Sequence, residues 1–165
     1  EGVRADEHVM QLWPDLRRCF HLYTQLVRFT THDLRARAGI AAAYETDSPA
    51  KLIRRVRGDA RRLRNEKTPW PPAHAESHAA GLALLRDDTE TAIGHLRAAV
   101  AGFEQLEHGF NVAATRMLLG KLVGGDEGSG LVAEGRATFE QQGIRNPERF
   151  ARMLTYGALT SDRLG

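Results

Sequence analysis

The chain has 165 residues, 42% of them hydrophobic and 27% charged, a composition that suits a soluble globular domain and excludes a disordered one. That length suffices for a single domain with a sizeable core, and no uncharged apolar run reaches the roughly 18 residues a transmembrane span needs. Net charge is only +2, but residues 51–67 hold eight Lys or Arg against two acids, a local +6 that leaves −4 for the rest.

Cys19 is the sole cysteine, which rules out an intrachain disulfide and fits a reducing cytoplasm. The opening EGVRADEHVM lacks an initiator Met and any export signal. It reads as a cut inside a longer protein, with residues 1–8 a disordered or artificial tail.

The periodicity is helical along the whole chain, with no convincing alternating strand. The first helix is expected after LWP, with Pro14 in its first turn, where a missing N–H is no loss. Leu16, Cys19, Phe20, Tyr23 and Val27 then form one apolar stripe, on which Cys19 reads as a buried, inert thiol. Trp13 and Trp70, each beside proline, read as core anchors. A second helix, HDLRARAGIAAAYE, runs to about Glu45. Ser48 as N-cap and Pro49 at the first position open a third, about 49–66, with Ile53, Val56, Ala60 and Leu63 on its apolar side. TPWPP stops that helix, because proline cannot continue it.

The fourth helix is expected at about 72–86, and Asp87 with Glu90 has the spacing of a capping box for a fifth at about 88–106. EHG breaks the pattern, and FNVAATRMLLGKLV forms the sixth helix. GGDEGSG reads as a flexible loop before LVAEGRATFEQQ, the seventh. Asn146 as N-cap and Pro147 behind it open a short eighth helix, and residues 156–165 read as a frayed tail. Residues 9–155 are left as one helical domain.

Gly39, Gly81 and Gly120 recur in RARAGIAAAYE, SHAAGLALLRD and TRMLLGKLVGG, each in the first helix of a pair. A period near 40 residues with two helices per unit points to a helical solenoid. AHAESHAAGLALLRDDTETAIGHLRAAVAGF resembles a tetratricopeptide unit of divergent, longer period. Ala80 matches the small position of its first helix, Asp88 the turn, and Ala92 and Ala99 the small positions of its second. The family's Trp, Tyr and closing Pro are absent. The resemblance implies an all-α fold, with antiparallel helix hairpins stacked as a short tetratricopeptide-like right-handed superhelix. It also implies a concave strip exposing His32, Arg35, His74, Ser77 and Lys121, mildly cationic and suited to a peptide of acidic character.

A second resemblance spans about 12–155. LWP, RRLRNEKTPWPPAHAESHAAGLALLRDD, LLGKLVGGDEGSGLVAEG and GIRNPERFARML are similar to the C-terminal helical region of large bacterial signalling proteins. In that resemblance the typical parents are Hanks-type serine/threonine kinases, or ATPase-bearing relatives. No Gly-rich loop, HRD or DFG lies in these residues. The resemblance therefore implies a non-catalytic, cofactor-free protein–protein interaction or regulatory module, whose partner is a peptide, a protein or the catalytic domain upstream.

Other chemistries weigh less. His74 and His78 share a helix face, yet no third metal ligand is near them, and packed or solvated histidines are the ordinary reading. Arg54, Arg57, Arg61 and Arg64 form a continuous stripe, which as an alternative function would bind the anions of nucleic acid or a membrane. A solvated flank explains the same stripe, and no aromatic residues are interleaved for base stacking. GGDEGSG lacks the Walker order, and a cap accounts for Asp87 and Asp88.

Overall fold

Small residues in this chain mark where helices touch. The computed structural model describes residues 1–19 and 21–156. Among them the chain is all-α: α1 (Gly2–Arg18), a 3-10 turn (His21–Tyr23), α2 (Gln25–Tyr44), α3 (Ala50–Arg64), α4 (Trp70–Leu84), α5 (Thr89–Gln105), α6 (Gly109–Val123), α7 (Gly125–Gln141) and α8 (Pro147–Leu154). Each helix packs on the next, α2 also meets α4, and α8 folds back onto α6. None of the described helices is long and apolar enough to cross a membrane.

α2, α4 and α6 bury residues on most sides, whereas α3, α5 and α7 bury one stripe each. Val56, Ala60 and Leu63 form the buried stripe of α3. The central core gathers Ile40, Val56, Ala80, Leu96, Leu118 and Tyr156. Phe103 with Ala73 and Ala99 forms a second cluster, and Phe139 with Met117 and Ala151 a third toward the C-terminal end.

The recurrent glycines serve two purposes. A Cβ at Gly120 would lie 2.5 Å from the carbonyl oxygen of Gly128, and one at Gly135 2.6 Å from that of Ala113. The backbones of α6 and α7 therefore touch, which any side chain would prevent. Gly39 likewise makes room for Val56 of its hairpin partner. Gly81 instead faces α2 and the C-terminal segment: its Cβ would sit 2.8 Å from Ile40 Cδ1 and 3.0 Å from the Tyr156 ring. Within the α4–α5 pair the close approach is that of Gly102 to Ala73.

Several expectations need correction. Residues 2–8 belong to α1, and Glu1 is its N-cap residue. Its first N–H groups, on Gly2 and Val3, donate to the Glu45 carboxylate, and Asp6 pairs with Arg55. A distant residue does what no local cap in the sequence announced. Because α1 starts at Gly2, Pro14 lies inside it and not in a first turn.

α1 ends at Arg18 and α2 begins at Gln25, so Val27, expected on the first helix, lies on the same helix as His32. Thr30 and Thr31 turn their hydroxyls onto the carbonyls of Leu26 and Val27 and so stay within α2. Cys19, just past the end of α1, is exposed, not buried. Phe20 lies outside the described residues, and Tyr23 is 80% exposed.

GGDEGSG is no loop. Only Gly124 separates α6 from α7, because Gly128 and Gly135 are needed helical and bare against α6. Asp88, not Asp87, caps α5 by accepting from the Thr91 N–H, while Asp87 takes a positive φ of 57° in the turn. Pro49, not Ser48, precedes α3. Asn146 caps α8 as its sequence implied, accepting from Arg149 N–H. Of the tail expected at 156–165, Tyr156 is 1% exposed and part of the core; positions 157–165 lie outside the described residues.

Candidate functional site

α2 carries a buried carboxylate, Asp33, and that group gathers side chains of α2 and α4. Asp33 Oδ1 accepts from His74 Nδ1 and from His78 Nε2, each at 3.0 Å, while Oδ2 pairs with Arg37 Nη2 at 2.8 Å. Burial by itself would raise the Asp33 carboxyl. The two histidine hydrogen bonds and the Arg37 charge outweigh it and hold the group well below the usual carboxylate range.

An ionised Asp33 fixes both tautomers. His74 carries its proton on Nδ1, so Nε2 is left to accept from Asn111 Nδ2 at 3.4 Å. His78 carries its proton on Nε2 and buries Nδ1 without a partner. Burial pushes its pKa down. Phe29 and Phe103 stand edge-on to His74, with ring centroids 4.9 Å away on each side. Asp33 thus ties α2 to α4, and His74 extends the link to α6.

A second carboxylate joins α2 to α3. Asp59 is 0% exposed; it accepts from His32 Nδ1 at 2.7 Å, from Arg35 Nε at 2.8 Å and also from Arg35 Nη2. Here too burial acts to raise the carboxyl, and the His32 and Arg35 hydrogen bonds keep it below its ordinary value. Trp13 of α1 covers the guanidinium, with Arg35 Cζ 3.4 Å from the ring centroid, a cation–π contact.

The C-terminal segment lies against the same inner helices. Tyr156 places its hydroxyl 3.0 Å from Ser77 Oγ of α4, and Arg37 Nη1 donates to the Met153 carbonyl at 2.6 Å. Burial pushes the Tyr156 phenol upward, so it stays neutral. Lys121 is half-buried beside Glu148 and Arg152, where α8 meets α6.

The five residues expected on one exposed strip are therefore distributed differently. His32 and Arg35 are buried on Asp59, His74 is half-buried on Asp33, and Ser77 is buried under Tyr156. Lys121 stands apart from all four on α6. His74 and His78 converge on one carboxylate oxygen, and no three His, Cys, Asp or Glu side chains are arranged to hold a metal among the described residues.

No family model, curated protein or solved structure matches this chain. Its site is read from its own geometry.

The basic stripe of α3 is divided in the fold. Arg54, Arg57 and Arg61 are exposed and make no ion pair with the described residues. Arg64 reaches Glu76 at 3.2 Å, and Arg62 leans toward Asp59 at 3.8 Å. Sequence reasoning overlooked Asp33, Arg37, Asp59, Asn111 and Tyr156 as organising groups. Asp59 had a signal: it lies three residues after Val56 and four before Leu63, on the apolar stripe, where an acid must find partners. Tyr156 had none, since it follows the last helix.

Proposed function

We propose that this chain is a non-catalytic protein–protein interaction or regulatory module with tetratricopeptide-like stacking. In this reading it is the cytoplasmic C-terminal region of a bacterial signalling protein of the serine/threonine kinase type. What carries it is the position of α8 and Tyr156. A short amphipathic segment rests on α6 and reaches Ser77 of α4 and Ile40 of α2. Inner helices that accommodate a segment of their own chain have the shape and chemistry to accommodate another. Leu34, three residues before Arg37 on α2, and Met153, whose carbonyl Arg37 holds, are both exposed.

Leu34→Glu with Met153→Glu is expected to abolish capture of the partner while leaving helicity unchanged. Undiminished capture by that double variant would remove the inner face from the reading. The parent is tested by the reading frame preceding Glu1. A Gly-rich loop, HRD and DFG there support a kinase, and an unrelated domain refutes it.

The second reading, an anion-binding module for nucleic acid or membrane, is favoured by one observation: Arg54, Arg57 and Arg61 are exposed on α3 and make no ion pair with the described residues. It requires affinity for DNA or anionic vesicles that falls steeply with added salt. A flat salt dependence excludes it.

A further inference from the structure

Where α1, α2 and α3 meet, Trp13, Arg17, Leu22, His32, Arg35 and Arg62 line a pocket of about 330 Å³. Three guanidiniums and an imidazole share it, and Asp59, the acid in contact with His32, Arg35 and Arg62, is wholly buried behind it. Other acids nearby are engaged elsewhere: Glu66 holds Arg28 at 2.5 Å, and Asp15 faces Arg18 at 4.0 Å.

Asp59 does more than neutralise one cation. It takes Nε and Nη2 of Arg35 and Nδ1 of His32, which leaves Arg35 Nη1 as a donor without a hydrogen bond to the described residues. Trp13 stacks on the guanidinium and limits its rotation. The Arg35 guanidinium is thus held in place before any ligand arrives, with His32 fixed beside it on the same acid, which lowers the ordering cost of binding. Arg17 and Arg62 are exposed at the mouth and bring two further charges on mobile stems.

We propose that this pocket binds a phosphate dianion, either free or as the head of a small phosphate monoester. A carboxylate satisfies one guanidinium fork. A tetrahedral dianion directs oxygens to several donors at once and matches the surplus charge of Arg17 and Arg62. The Trp13 and Leu22 walls accept the ester's apolar substituent. The pocket is independent of the inner-face reading, since it shares neither Leu34 nor Met153.

The test is titration of the whole chain with inorganic phosphate, phenyl phosphate and acetate at matched ionic strength, followed by calorimetry and by tryptophan fluorescence. Saturable one-to-one binding of phosphate or phenyl phosphate, and not of acetate, is expected. Equal affinity for the two phosphates assigns the free ion, and tighter phenyl phosphate assigns the ester. Arg17→Gln and Arg62→Gln, both exposed and compatible with an intact fold, should each weaken binding by about tenfold. Arg61→Gln, exposed but outside the pocket, should leave it unchanged. The proposal is overturned by absence of saturation, by acetate binding as well as phosphate, or by Arg61→Gln weakening binding as much as Arg62→Gln.

Discussion

Replacing Asp59 with Asn keeps the side chain's shape and removes its charge. Asp59 is fully buried and the Arg35 side chain is 7% exposed, so the variant leaves a guanidinium out of water with no counter-ion. Breaking a buried pair by removing one partner costs about 3–5 kcal/mol. Trp13 still covers the cation, and a desolvated cation–π contact is worth up to about 2 kcal/mol. That contact exists before and after the change, so it limits how far Arg35 relaxes without restoring the lost energy. Urea unfolding with an unchanged m-value is the appropriate assay. A loss of about 3 kcal/mol or more is expected for Asp59→Asn. In the double variant Asp59→Leu with Arg35→Met, most of it should return, because an apolar pair carries no desolvation penalty. A single-variant loss below about 1 kcal/mol, the size of a surface pair, would refute the reasoning. So would a double variant that loses the sum of the two single changes.

Gly120→Ala, whose Cβ meets the Gly128 carbonyl, should destabilise by about 1–3 kcal/mol. Gly94→Ala, mid-helix with open space around it, should stabilise by about 0.5–1 kcal/mol, and thermal melts with the same sign for both would overturn this account of the glycines. Stability should also depend on pH in two stages. His78 and His108 have folded pKa values below the ordinary 6.5, so as pH falls below that value the unfolded chain takes up protons first and stability declines. Asp33 and Asp59 have folded values below 3.8, so their contribution is complete above it and lost as pH falls through the folded values. Urea midpoints across pH check this; His78→Gln should flatten the upper stage, and greater stability at about pH 5 than near neutrality contradicts the sign. Tyr156→Phe removes the bond to buried Ser77 and should cost about 1 kcal/mol in the same assay, with an unchanged midpoint arguing against the contact.

Helical periodicity was legible in the sequence because each outer helix buries one stripe: Val56, Ala60 and Leu63 on α3 could be picked out by spacing alone. The Asn146 cap and the close approaches at Gly39 and Gly120 were legible too, since each is a local steric or hydrogen-bonding requirement, whereas Gly81 packs on α2 and Tyr156 and not on its hairpin partner. Boundaries set by distant partners were not. α1 begins where it does because Glu45 receives its first N–H groups, and α7 runs through GGDEGSG because α6 needs bare glycines beside it. Both are cases in which packing overrides local propensity.

The candidate residues divide in the same way. Their types and their positions on α2 and α4 came from the chain order. Their fates were decided by two acids that no pattern had paired with them. Asp33 and Asp59 draw His74, His78, His32 and Arg35 inward, because an ionised carboxylate buried among helices must be met by every donor within reach. Sequence determines which groups are available, and a buried charge, which only the tertiary structure creates, determines where they go.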